Sequence, residues 1–246
     1  MSITSAEELL GMKRAGIVAR QVLETMKSRV RPGITTGELD EIGNEVMRQN
    51  GAHSAPAMVY RFPGGSCISV NEEVVHGIPG GRILEEGDLV KLDVTVEKDG
   101  FMADTAATVG VGRISKERQR LIECVERAFA KAMLVARAGF RIFDIGRVIE
   151  REVRHDGFSV IRDLCGHGIG RTIHEAPQVP NYPDRRASSV LTEGLVITVE
   201  PLISAGNGDE FLDDDGWTVR TSDATSAAHY EHTIVVTNGA PILLTA

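Results

Sequence analysis

The sequence predicts an α+β fold, a layered α/β arrangement of helices and antiparallel strands. Four segments carry apolar residues at helical spacing, and segments between them alternate apolar and polar residues as strands do. A unit of helices followed by strands also occurs twice along the chain. No linker or change in composition divides the two units. The sequence therefore predicts a single domain over residues 1–246, with related halves at roughly 1–110 and 111–246.

Each of the four predicted helices has a recognisable start or stop. The first begins near Ser5, where Ser5 and Glu8 form a capping-box pattern. The other three extend over about 36–50, 116–138 and 143–156, and a glycine follows each of them as a stop signal. The apolar residues recur every three or four positions, which predicts one buried face on each helix.

The strongest strand signal is a hairpin around Lys98-Asp99-Gly100. Apolar and polar residues alternate over about 90–96, turn residues follow, and a second strand is predicted over 102–109. Three further strands are predicted at 194–204, 217–221 and 227–237.

The second half of the chain repeats features of the first. Residues 84–87 (Leu-Glu-Glu-Gly) resemble residues 191–194 (Leu-Thr-Glu-Gly), which lie 107 positions later. The same offset aligns Asp93 of the first half with Glu200 of the second, so acidic residues occupy matching strand positions. Chance among common residues is the alternative. A doubled unit would bring two acidic strands together about a pseudo-twofold axis.

Composition excludes several classes of function. The net charge of -8 gives the chain no general attraction for nucleic acids. Three cysteines without a CxxC spacing argue against a disulfide framework and fit a reducing cytoplasm. No apolar run reaches about 18 residues, so no transmembrane helix is expected. The first residues do not resemble a signal peptide, so none is expected.

Asp93 and Asp104 form the first candidate site. They are placed symmetrically about the Lys98-Asp99 turn, so a simple hairpin would make them cross-strand neighbours roughly 5 Å apart. Two carboxylates at that distance repel each other unless a proton or a cation lies between them. A solvated hairpin edge is the alternative, although the apolar flanking residues indicate buried strands. A divalent cation is the natural partner of such a pair.

Glu200 and Glu231 add two carboxylates in apolar surroundings. Glu200 follows the apolar strand residues 196–199, and Glu231 shortly precedes the apolar residues 234–236. A carboxylate is rarely buried unless a cation or a metal ion accompanies it. An arginine is the alternative partner for one glutamate. The sequence near the four acids offers no matching set of buried cations, so metal ions account for them more simply.

Three histidines complete the candidate set. His167 lies in the glycine-rich segment 166–171, interpreted as a loop that leaves its ring open to approach; His174 follows, and His76 lies upstream. A lone histidine among glycines is more often a hydrogen-bonding loop residue. Four available carboxylates favour one histidine ligand and two catalytic histidines. Several carboxylates with one imidazole suit Mn, Fe, Co or Zn, preferably as a pair of ions sharing bridging carboxylates.

The ordered set of acids and histidines closely resembles the type I methionine aminopeptidases. The set consists of Asp93, Asp104, His167, Glu200 and Glu231, with His76 and His174. The resemblance covers essentially the whole chain. It implies the pita-bread fold, in which pseudo-twofold halves pack helices on a curved antiparallel sheet. It also implies removal of the N-terminal methionine from nascent proteins and peptides with a small second residue, by attack of metal-activated water on the first peptide bond.

The same resemblance implies how two divalent ions (Co, Mn, Fe or Zn) would be held. Asp93 would bind one ion through both carboxylate oxygens. Asp104 and Glu231 would bridge the two ions. His167 and Glu200 would complete the coordination of the other ion.

Catalytic and substrate-binding roles are implied as well. Glu200 would act as general base, His174 would stabilise the developing oxyanion, and His76 would contact the substrate near the scissile amide. The methionine pocket would draw on Phe62, Cys67 and Trp217, with Tyr60 as an additional candidate. The alternative for Phe62 and Trp217 is ordinary core packing.

Three features depart from the commonest pattern of these enzymes. The stretch 60–63 is about one residue short, Ile173 stands where an aromatic residue often precedes the catalytic histidine, and His229 stands where glutamine is common. None of these departures removes a ligand.

Partners and alternatives also follow from the resemblance. The expected partners are peptide or nascent-chain N-termini that begin with methionine, with ribosome association left open. A cytoplasmic monomer without nucleic-acid specificity or membrane attachment is expected. One alternative is another pita-bread aminopeptidase or a prolidase, although those relatives usually carry an additional N-terminal domain. The other is a non-catalytic binding protein on the same fold, although such relatives tend to lack ligands.

Overall fold

The computed structural model describes residues 1–246 and contains five helices and fifteen strands. The four predicted helices are present as α1 (Ala6–Lys27), α2 (Thr36–Gln49), α4 (Lys116–Ala132) and α5 (Ile142–His155). A short helix, α3 (Ala55–Tyr60), was not predicted, because six residues are too few to show a helical period. None of the five combines the length and the apolar character needed to cross a membrane.

Two helix ends differ from the predictions. The Ser5 hydroxyl accepts the Glu8 N–H, as expected, but the Glu8 carboxylate bonds to Thr4, so only half of the capping box forms. Helix α4 ends at Ala132 rather than near residue 138. Tight turns follow it, because the N–H of Val135 bonds to the carbonyl three residues earlier.

A nine-stranded antiparallel sheet forms the centre of the fold. Its strands are β1 (His53–Ser54), β2 (Cys67–Val70), β4 (Leu89–Lys98), β5 (Phe101–Gly110), β7 (Cys165–Gly168), β8 (Glu175–Pro180), β9 (Val196–Val199), β14 (Glu231–Val235) and β15 (Ile242–Leu243). Its neighbour order is β1-β4-β5-β14-β9-β7-β8, with β2 on β4 and β15 on β14. The strongest predicted element, the hairpin of β4 and β5, is confirmed.

Two three-stranded sheets flank the central sheet. One contains β6 (Ser159–Val160), β10 (Leu202–Ser204) and β13 (Ala227–His229). The other contains β3 (Glu73–Val75), β11 (Glu210–Leu212) and β12 (Val219–Thr221).

Two strands predicted as continuous are in fact divided between sheets. The segment 194–204 breaks after β9, because Pro201 has no N–H for a ladder, and it re-forms as β10 in a small sheet. The segment 227–237 breaks at Tyr230 between β13 and β14. Glu200 and Glu231 lie at these two crossing points, where strands pass from one sheet to the other.

The internal repeat is confirmed by matching elements. Helices α2 and α5 each contain 14 residues, and each follows a longer helix. Isolated bridges join Thr35 to Ile83 in the first half and Arg141 to Val190 in the second, and these residues differ by the expected offset of 106 or 107. The pseudo-twofold halves therefore share helices, bridges and acidic strands.

The helices cover one face of the central sheet. Helix α1 packs Met12 and Ala15 against alternate residues of β4, including Leu92 and Val94. Helices α4 and α5 pack against Ile197 and its neighbours from the second half. Because successive strand residues point to opposite faces, Asp93 and the other odd-numbered residues of β4 point away from these helices.

Candidate metal centre

The acidic residues lie in neighbouring rows on the sheet face that points away from the helices. In the first row Asp93 is opposite Ala106, and Ala106 is opposite Glu231 on its other side. The small Ala106 side chain leaves the space between the two carboxylates open. Glu200 is the residue after β9 and comes beside Glu231 in the register of β9 with β14. Three carboxylates thus converge across four strands.

The second row contains Asp104, and threonine hydroxyls on the neighbouring strands hold it in place. The Thr233 hydroxyl accepts the Asp104 N–H and donates to the Asp104 carbonyl, each at 2.8 Å. Thr233 pairs with Thr198, whose hydroxyl accepts the His167 N–H at 2.9 Å. The same hydroxyl donates to Oε1 of Glu200 at 2.7 Å. Strand pairing and these hydroxyls together hold Asp104, His167 and Glu200 around one point.

His167 is on a strand rather than in the open loop that the glycines suggested. Strand β7 places it between β8 and β9, and only 7% of the residue is exposed. Its Nδ1–H donates to the Gly168 carbonyl at 2.9 Å, so the Nε2 lone pair is free and lies 3.5 Å from Oε1 of Glu200. Ligand atoms of Asp104, His167 and Glu231 all lie within 4.8 Å of one another.

The predicted direct pairing of Asp93 with Asp104 is wrong. Asp93 is opposite Ala106 and Asp104 is opposite Thr95, so the two acids are diagonal neighbours on one face. The turn consists of Asp99 and Gly100, both with positive φ, which moves the centre of the hairpin by one residue. The two carboxylates remain close enough to share a cation.

The electrostatics of the cluster demand positive charge. Burial, followed by the neighbouring carboxylates, raises the pKa of Asp93, Glu200 and Glu231 well above their usual ranges. Burial also raises the pKa of Asp104 to about 6. Oδ1 of Asp104 and Oε1 of Glu231 are buried without any hydrogen-bond partner. Buried, unpaired and mutually repelling oxygens beside a free imidazole nitrogen are the donors that divalent metal ions require, so these residues fit such ions.

His76 and His174 lie beside the acidic rows. The ring centroids of His167 and His174 are 4.2 Å apart. The Tyr60 hydroxyl lies 2.6 Å from Nδ1 of His174, which fixes the ring and leaves Nε2 free. Burial lowers the pKa of both His76 and His174, so both are neutral near pH 7.

One cavity of about 210 Å³ joins the predicted ligands to the predicted pocket residues. Its wall includes all five acid and histidine ligand candidates together with Tyr60, Phe62, Cys67, His76, His174 and Trp217. Phe62 and Trp217 pack edge to face with centroids 5.2 Å apart. A second cavity of about 590 Å³ shares His76 and His174 and extends past Cys165.

Sequence reasoning missed the residues that hold the acids in place. Thr198 and Thr233 each lie two positions from a predicted ligand, so they share its strand face, and that spacing was a usable signal. Asn181 donates to the Glu200 carbonyl at 2.9 Å from a distant loop, and no local pattern indicates this contact. Ala106 contributes because its side chain is small, but the sequence does not show that it lies between Asp93 and Glu231.

The fold and the cluster agree with a known family. The chain matches the model of metallopeptidase family M24 over residues 11–238. This chain belongs to metallopeptidase family M24. As an M24 member it is a metal-dependent hydrolase, and the acid–histidine cluster provides donors for divalent metal ions.

Alignments with curated relatives and with a solved structure cover essentially the whole chain. Methionine aminopeptidase 2 of Bacillus subtilis (strain 168) is 44% identical over 247 residues, covering 100% of this chain and 99% of the relative. Methionine aminopeptidase of Escherichia coli (strain K12) is 43% identical over 246 residues, covering 99% and 93%. The crystal structure of methionine aminopeptidase from Rickettsia prowazekii superposes with a TM-score of 0.96 at 38% identity, with full coverage of both chains.

A more distant structure shares the fold alone. Prolidase from Pyrococcus furiosus matches with a TM-score of 0.81 at 22% identity, and the alignment covers 99% of this chain and 65% of the prolidase. The pita-bread fold and the resemblance to the methionine aminopeptidases are thereby confirmed.

Proposed function

We propose that this chain is a methionine aminopeptidase that hydrolyses the first peptide bond of peptides and nascent chains with a small second residue. The observation that carries the proposal is the single cavity that joins the acid–histidine cluster to the apolar pair Phe62 and Trp217. The full-length relatives named methionine aminopeptidase support it.

The proposed metal ligands are Asp93, Asp104, His167, Glu200 and Glu231. Asp93 would hold one ion, Asp104 and Glu231 would bridge, and His167 and Glu200 would hold the other. The unpartnered oxygens of Asp104 and Glu231 support bridging roles, because each lacks any protein hydrogen bond. Bound divalent ions (Co, Mn, Fe or Zn) supply Lewis-acid chemistry, which acidifies water and polarises a carbonyl oxygen.

The residues around the ligands are suited to moving protons. The Thr198 hydroxyl donates to Oε1 of Glu200, which leaves lone pairs on Oε2 that can accept a proton from water and return it to the leaving amine. His174, with Tyr60 donating to Nδ1, presents Nε2–H to the developing oxyanion. His76 lines the same wall and would contact the substrate near the scissile amide.

Pocket shape supports the proposed selectivity. A volume of about 210 Å³ is below the ~300–1,000 Å³ of pockets that take drug-sized ligands, so it suits one residue. Phe62, Cys67 and Trp217 offer an apolar, polarizable wall, which fits the flexible thioether of methionine. His76 and His174 line both cavities, so a bulky second residue would collide with them on its way from the inner to the outer cavity.

The setting of the enzyme is part of the proposal. We place it in the cytoplasm, because its three cysteines are all free. A monomer is part of the proposal because the lining of the cavity comes from one chain. The substrates are the N-termini of peptides or nascent chains, and the enzyme has no specificity for nucleic acids and no attachment to membranes. Residues 1–246 form one catalytic domain in this proposal, because both halves contribute strands to the sheet that carries the ligands.

A metal-replacement assay tests the chemistry. Dialysis against a strong chelator should abolish hydrolysis of Met-Ala-Ser, and Mn, Fe or Co should restore it. Glu231→Gln should resist restoration because it lacks a bridging charge, whereas Asp99→Asn in the exposed turn should behave as wild type. Full activity with metal content confirmed near zero would exclude a metal mechanism.

A Met-Xaa-Ser substrate series tests the specificity. Glycine, alanine and serine at the second position should be cleaved well, and leucine and lysine poorly. A displacement of about 1 Å at the scissile carbonyl costs about 100-fold in rate, so kcat/KM should fall steeply with side-chain size. Equal rates for glycine, leucine and lysine would indicate a general aminopeptidase, a requirement for proline would indicate a prolidase-like enzyme, and no hydrolysis would indicate a binding protein.

A further inference from the structure

A buried histidine beside the acidic rows has no hydrogen-bond partner for its side chain. His229 ends β13, and only 1% of the residue is exposed, yet neither ring nitrogen has a hydrogen-bond partner. Leaving a buried polar group unpaired costs about 1–3 kcal/mol. An apolar side chain would fill the same space without this cost, so packing alone does not explain an imidazole here.

The ring faces two of the proposed metal ligands. Nε2 of His229 lies 3.7 Å from Oε2 of Glu231 and 3.9 Å from Oε2 of Glu200. The His229 backbone is fixed by Thr108 of β5, whose hydroxyl accepts its N–H and donates to its carbonyl, each at 2.8 Å. The imidazole is therefore held at the point where both carboxylates can reach it.

We propose that His229 is a positioning residue of the metal centre, whose Nε2–H donates to the carboxylates of Glu200 and Glu231 and orients them toward the ions. This inference rests on the ligand set proposed above. A shift of about 1 Å brings either oxygen to hydrogen-bond distance of Nε2. Oε1 of Glu231 has no partner in the protein and stays free for an ion.

The proposal predicts a specific loss of metal affinity. Carboxylates already held by a donor lose less rotational freedom when they bind a metal ion. Removing such a supporting group typically lowers metal affinity about 10- to 100-fold without removing a ligand. His229→Leu fills the volume without a donor, whereas His229→Gln keeps an N–H donor. His155→Leu, on the exposed end of α5, is the surface control.

The test is titration of Co(II) into each metal-free protein against a competing chelator, followed by X-ray absorption of the cobalt-loaded proteins. We expect affinity to fall about 10- to 100-fold in His229→Leu and to stay within about threefold of wild type in His229→Gln and His155→Leu. Both His229 variants should still bind two ions at saturation, with the wild-type number of imidazole ligands.

Two results would overturn the proposal. Unchanged affinity in His229→Leu would make His229 a packing residue, and loss of one imidazole from the cobalt shell would make it a direct ligand. If His229→Leu does not fold, His229→Asn decides the matter, because its shorter amide should not reach the carboxylates and should show the same loss. Metal affinity is measured without a peptide, so failure of the proposed peptidase activity would be seen separately.

Discussion

Replacing Asp104 with asparagine should stabilise the metal-free chain at neutral pH while weakening its binding of metal ions. In the folded metal-free chain, burial raises the Asp104 pKa from 3.8 to about 6, despite hydrogen bonds that lower it. At 1.36 kcal/mol per pKa unit, ionised Asp104 destabilises the fold by about 3 kcal/mol above pH 6. Asparagine has nearly the same shape and no charge, so Asp104→Asn removes this penalty.

The pH dependence has a definite sign. A carboxyl whose pKa is raised on folding gives stability that is present below pH 3.8 and is lost as the pH rises through about 6. The advantage of Asp104→Asn over wild type should therefore be complete near pH 7.5 and fall below about 1 kcal/mol at pH 4. Saturating metal should reverse the order, because only wild type keeps the carboxylate that we propose to bridge the two ions.

Thermal and urea unfolding in excess chelator would measure these differences. For a chain of this size, about 3 kcal/mol corresponds to a Tm increase of roughly 6–12 °C. Asp99→Asn, in the exposed turn, should change stability by less than about 0.5 kcal/mol. An Asp104→Asn protein no more stable than wild type in chelator at pH 7.5, or one whose advantage persists at pH 4, would refute the reasoning.

Three further predictions concern the site. His174→Ala should lower kcat about 10²–10³-fold with metal content unchanged, because it removes the donor that we propose to act mainly in the transition state; metal loss in this variant would contradict that proposal. In Gly77→Ala the added Cβ would lie 2.4 Å from the Ile68 carbonyl oxygen, so the backbone next to His76 must shift, and we expect both Tm and kcat to fall. Gly81→Ala is the control, because its added Cβ would meet open space, and it should match wild type in both assays. Trp217→Ala should raise KM for Met-Ala-Ser and reduce the preference for methionine over alanine as first residue, because the edge-to-face pair with Phe62 is lost; an unchanged preference would remove Trp217 from the pocket.

Local chemistry in the sequence determined most of the elements of this protein. Helical periodicity and glycine stops placed four helices to within a few residues, except at the end of α4. The doubled unit was visible because the halves share an offset that the structure reproduces in its bridges. Carboxylates in apolar strands also indicated a metal site, because burying an unpaired charge is costly whichever strands become neighbours in the fold.

Tertiary structure decided the geometry of the site. The period of two fixes which face Asp93 occupies, but the register across the hairpin depends on which residues form the turn. The Asp99-Gly100 dipeptide was a turn signal for the correct register, yet symmetry about Lys98-Asp99 misplaced the centre of the hairpin by one residue and therefore the partner of Asp93 by two. The placement of His167 on a strand required β9, which is distant in the sequence.

The contacts that orient the proposed metal ligands are the least visible in the sequence. Thr233 and Thr198 link Asp104 to His167 only because β14 lies between β5 and β9 in the sheet. Asn181 and His229 approach Glu200 from separate segments. Side-chain patterns report the local environment of each residue, whereas these contacts depend on sheet order and on where strands pass between sheets, which only the folded chain determines.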